Sequence, residues 1–107
     1  MATLHLLVGL PCSGKAKKAK NLERIHNALL ISPDEWIKKL FGNNAESKDL
    51  IKNRDAIESI MWSHASRILK LGVNVILDYD YLPEAEAERL RLKAKDLGAD
   101  IKIHNME

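Results

Sequence analysis

The stretch that most narrows the choice of fold lies at residues 4–15. Leu4–Val8 is a short apolar run, and Gly9-Leu10-Pro11-Cys12-Ser13-Gly14-Lys15 follows it without a break. A run of that length ended by glycine reads as a strand buried on both faces. From Lys15 to about Arg24 the pattern reads as a helix, with Leu22 and Ile25 as its inward residues. Two glycines with four residues between them, then a lysine, joining strand to helix, form a loop suited to phosphate. The glycines let the backbone curl so that several N–H groups converge. The helix N-terminus adds the positive end of its dipole, and the lysine adds a mobile charge. Gly9, Pro11, Cys12, Ser13, Gly14, Lys15 and Ala16 are the candidate phosphate-binding residues, with Lys15 aimed at the ligand rather than the core.

The remaining segments alternate in the same sense. Ala28–Ile31 reads as a second short strand. Ser32 then opens a helix as N-cap, with Pro33 at the first helical position and Glu35 completing a capping box; that helix stops near Gly42. After a polar loop at Asn43–Ser47, a long helix runs from about Lys48 to Leu71. Its apolar residues Leu50, Ile57, Ile60, Met61, Ala65, Ile68 and Leu69 form one stripe at three- and four-residue steps. Val73–Leu77 is a third strand, closed by Asp78-Tyr79-Asp80. Pro83 starts a helix with glutamates early and lysines late, as its dipole favours, and Gly98 ends it before a fourth strand at Ile101–Ile103. Strands alternating with helices imply right-handed βαβ crossovers and a parallel sheet covered on both faces. The expected architecture is a three-layer α/β P-loop NTPase-like fold: one domain over residues 1–107, with four parallel strands in the order 2-3-1-4.

Composition excludes several alternatives. With 107 residues the chain can bury a core without disulfides, and its single Cys12 fits a reducing compartment, so the expected location is the cytoplasm. No apolar run approaches the length of a membrane helix. A net charge of +2 gives little general attraction to nucleic acid, although Lys15, Lys17, Lys18 and Lys20 crowd one segment. Ala16 stands where the phosphate loop calls for a hydroxyl that binds Mg²⁺. Phosphate binding survives that change; the usual metal ligand does not. Lys17 either offsets the missing cation or lies on the outer helix face.

VGLPCSGK, then LLISPDEWIKKLFG, then a long helix ending in LGVNVILDYDY, resembles the AAA-type P-loop kinases. The group is similar to the polynucleotide kinase 5′-kinase domain and, more distantly, to zeta-toxin-like phosphotransferases. The resemblance implies ATP, Mg²⁺ and transfer of the γ-phosphoryl group to a hydroxyl acceptor of unknown identity. It implies that Asp34, just after the second strand, contacts the acceptor hydroxyl as general base beside a catalytic Lys15. It implies that Asp78 helps to hold the Mg²⁺ water shell. Relatives continue into an arginine-bearing lid and a fifth strand, and this sequence reaches Glu107 before either. A non-catalytic nucleotide- or partner-binding module on the same fold is the competing expectation. Each carboxylate also has a local reading: Asp34 favours a helix start and Asp78 a strand end. Asp80 reads as a turn residue, and His5, His26, His64 and His104 show no metal-ligand spacing.

Overall fold

β1 (Thr3–Gly9) lies in the interior of a four-stranded parallel sheet, between β3 (Val75–Tyr79) and β4 (Asp100–Met106), with β2 (Leu29–Ile31) beyond β3. The spatial order is therefore 2-3-1-4. The helices are α1 (Lys15–His26), α2 (Pro33–Phe41), α3 (Lys48–Lys70) and α4 (Glu84–Asp96). The computed structural model describes residues 2–10, 14–41 and 48–106, apart from the side chains of residues 34, 37, 38, 41 and 48–54. Pro11, Cys12 and Ser13 of the phosphate loop lie outside the described residues, as does Leu50 of the helical stripe.

The alternation of a pleated strand sorts the core into two layers. Leu4 and Leu6 of β1 pair in register with Val75 and Leu77 of β3, and all four pack with Met61, Ala65 and Leu69 of α3 and Ala94 of α4. The intervening residues Leu7 and Ile76 face the other way, onto Ala19 and Leu22 of α1. Each fully buried leucine of this kind contributes about 1.5–3 kcal/mol of transfer free energy. Sheet and helices thus place the N-terminus of α1 and the C-terminal ends of β1 and β3 at one edge of the molecule.

Several boundaries differ from the sequence reading for identifiable reasons. Ile25 is 69% exposed. The inward stripe of α1 is Lys15, Ala19, Leu22 and His26, at steps of four, three and four, and Ile25 falls beside it. Ile60 is likewise exposed, since the buried stripe of α3 runs through Ile57, Met61 and Ala65. β3 starts two residues late because Gly72, at φ +87°, and the residues after it turn the chain out of α3. β3 therefore runs through Asp78, which lies within the strand. β4 extends over seven residues because its register with β1 continues from Thr3↔Asp100 to Gly9↔Met106.

Asn74, in that turn, joins three elements. Its Oδ1 accepts from the Thr3 N–H at 2.7 Å, and its Nδ2 donates to the His26 carbonyl at 2.7 Å. Asn74→Ala leaves one backbone donor and one acceptor short of a partner, and is expected to cost about 1–2 kcal/mol. Urea denaturation reads this directly; an unchanged midpoint would mean that water replaces both bonds without loss.

Candidate phosphate site

Gly14 holds φ +83°, in the left-handed region that glycine enters without strain, and it serves as N-cap of α1. It has no side chain to cap the helix, and the first turn carries no acidic residue. Lysines at 15, 17 and 18 instead crowd the positive end of the dipole, an arrangement that is locally unfavourable unless an anion joins it. The Lys18 N–H reaches the Gly14 carbonyl at 3.1 Å, so the α-helical bonding starts at the glycine itself.

Lys15 does not extend into water. The residue is 5% exposed, and its ammonium lies between two carboxylates at the end of β3. Nζ is 2.7 Å from Asp78 Oδ1 and 2.5 Å from Asp80 Oδ1, to which it donates a hydrogen bond. Burial alone lowers the pKa of this ammonium; the hydrogen bonds and charges of Asp78 and Asp80 outweigh it and raise the pKa above the ordinary lysine value. The cation is therefore fixed at neutral pH and turned toward the mouth of the sheet.

Asp78 and Asp80 are two residues apart at a strand end, which places both on the α1 face while Leu77 and Tyr79 face the core beneath α3 and α4. Asp80 is therefore part of the site and not merely a turn residue. The period-two spacing carried that information, and reading the strand as ending at Leu77 concealed it. The structure thus joins Gly14, Lys15 and Asp78 as three of the sequence-derived candidates, with Ala16 in the first turn and Gly9 at the end of β1. Asp34 is the second residue of α2, but its side chain lies outside the described residues. Two carboxylates around one lysine leave an excess negative charge suited to a hydrated divalent cation, whereas Ala16 offers no oxygen. Among the described residues, no three His, Cys, Asp or Glu side chains are placed to hold a metal ion by themselves.

A second polar cluster lies at the other end of the same face. His5 of β1 is 1% exposed; its Nδ1 is 3.1 Å from His104 Nε2, and its ring centroid is 4.6 Å from that of His26. Burial first, then the charges of His26, His104 and Lys102, push the His5 pKa down to about 4. Burial also lowers that of His104, followed by the charges of Lys18, His26 and Lys102. Nothing in the spacing of these histidines along the chain points to this cluster.

Among the described residues, no helix is long and apolar enough to cross a membrane. No curated protein is a recognisable sequence relative. In fold the chain is similar to a chain of the Pnkp1/Rnl/Hen1 complex, with TM-score 0.82 and 22% identity over 99% of this chain and 35% of that one. A second Pnkp1/Rnl/Hen1 RNA repair complex structure matches with TM-score 0.79 and 24% identity, over 98% of this chain and 33% of that one. A candidate kinase from Chloroflexus aurantiacus matches with TM-score 0.75 and 17% identity, over 98% of this chain and 59% of that one. The chain thus spans about a third to three-fifths of the length of these relatives. The family described as AAA domain matches residues 4–107, which takes in every element around Lys15, and the chain belongs to that family.

Proposed function

We propose that the chain binds ATP through Gly9–Lys15 and presents its γ-phosphate to a hydroxyl acceptor, as a phosphotransferase of the cytoplasm. The observation that carries this reading is Lys15: a buried cation at a helix start with no side-chain cap and no acidic residue in its first turn, held at the strand ends by two carboxylates. An incoming phosphate competes with Asp78 and Asp80 for the ammonium, and the helix N–H groups take its remaining oxygens. Asp78 and Asp80, once released, would hold the water shell of Mg²⁺, which when bound would supply positive charge beside the phosphates. Asp34, at the start of α2, accepts the proton of the acceptor hydroxyl as its oxygen bonds to the γ-phosphorus and the bond to the β-phosphate oxygen breaks. Lys15 stays with the transferred group, countering charge on its equatorial oxygens.

Ala16 favours a second reading, in which the same site binds nucleotide without turning it over. Calorimetric titration with ATP, with and without Mg²⁺, separates the two. In the wild type Mg²⁺ is expected to change affinity by no more than about threefold, because every remaining contact to the metal passes through water. Ala16→Thr is expected to raise the Mg²⁺-dependent gain to about tenfold. Absence of any heat or amide shift at Gly14 and Lys15 with millimolar nucleotide would end both readings. Mg²⁺-dependent turnover in the wild type, equal to that of Ala16→Thr, would end the second.

A further inference from the structure

A cleft of about 260 Å³ opens between α3 and α4 on the face of the sheet away from α1. Its floor is apolar, formed by Met61, Leu77 and Tyr79, and Trp62 lines it with its ring half-buried. Pro33, which precedes Asp34 in the chain, also lines it. The cleft therefore borders the start of α2, the helix to which Asp34 belongs.

The rim is divided by charge. Asp55 and Glu58 lie on the α3 side, while Arg89 and Lys93 recur at one turn of α4, with Glu86 a turn earlier. Among the described residues Arg89 makes no ion pair. Lys93 holds its ammonium 5.4 Å from the centroid of the Trp62 ring. A cation above an aromatic wall, beside a guanidinium free to form a fork, suits a ring carrying one anionic group. The carboxylates opposite suit hydroxyl donors.

From this we infer that the cleft is the acceptor site, and that the acceptor is a small ring compound bearing a free hydroxyl and an anionic group. The ring stacks toward Trp62, the anion meets Arg89 and Lys93, and the hydroxyl points inward toward the start of α2. The inference rests on the phosphotransferase reading, and its test keeps the two apart.

The probe is para-hydroxymethylbenzoate, added to the ¹⁵N-labelled chain, with benzyl alcohol as the uncharged comparison and pyrophosphate as an independent ligand. The expected result is a shift of the Trp62 indole N–H and the Tyr79 amide, with the Trp36 indole unmoved. Benzyl alcohol should bind about tenfold more weakly for want of the charge-assisted contacts. Arg89→Gln with Lys93→Gln, both at exposed positions, should lose about tenfold in benzoate affinity and leave pyrophosphate shifts at Gly14 and Lys15 unchanged. Equal binding of benzyl alcohol, unchanged binding by the double variant, or no Trp62 shift would overturn the inference. If pyrophosphate moves Gly14 and Lys15 while the benzoate moves nothing, the cleft is not the acceptor site and the phosphate reading stands. If the benzoate binds and pyrophosphate does not, the phosphate reading fails and the cleft loses its role as acceptor site.

Discussion

Lys15→Met is expected to weaken pyrophosphate binding about 100-fold and to lower stability by about 1–3 kcal/mol. From sequence Lys15 reads as a side chain reaching for a ligand, whose loss would leave the fold intact. In the structure the same ammonium separates Asp78 from Asp80, so methionine leaves two carboxylates facing each other with no cation between them. The double variant Lys15→Met/Asp80→Asn removes one of those charges. It should recover most of the stability and none of the binding. Recovery of pyrophosphate binding in the double variant would show that the helix N-terminus alone holds the anion and that Lys15 is a structural residue. Calorimetry reads the first quantity and urea denaturation the second.

Acid is expected to have the next largest effect. His5 has its pKa pushed from 6.5 to about 4, by burial above all and then by His26, His104 and Lys102. Lys18 adds its charge on the His104 side of the cluster. Because the folded pKa is depressed, the unfolded chain takes up a proton that the folded chain refuses. The stability carried by neutral His5 is present in full above pH 6.5, and it falls away as pH drops from there toward 4. Across that interval the expected loss is about 3 kcal/mol. Urea midpoints measured between neutral pH and mild acid should fall steeply for the wild type. They should fall less for His5→Leu, which keeps an apolar group of similar size on the strand. Parallel slopes for the two proteins would sink the assignment to His5.

Features of this chain set by neighbouring residues are legible in the sequence, and those set by distant residues are not. The phosphate loop was legible because one strand, one glycine-spaced turn and one helix start carry all of it locally. The order of the strands followed from the handedness of the crossovers. Ile25 was misplaced because Leu22 and Ile25 fit helical spacing as well as Leu22 and His26 do; the sheet decides which of them is covered. Asp80 is hidden in the sequence because the apolar run of β3 ends at Leu77, three residues before it. The histidine pair could not be read at all. His5 and His104 meet across 99 residues of sequence, and their contact depends on the register of two strands that only the assembled sheet fixes.

The position of β1 has a consequence for how the chain reaches this state. Both neighbours of β1 are distant in sequence: Leu4 meets Val75 on one side and Ile101 on the other. No hairpin can nucleate the sheet, and the central strand must wait for partners separated from it by most of the chain. Pairings of such separation are slow to find, because loop-closure entropy is lost before any contact offsets it. During synthesis, the apolar run Leu4–Val8 leaves the ribosome long before β3 and β4 exist. For that interval it is an unpaired, aggregation-prone strand, covered on one face by α1 and on the other only after α3 has emerged.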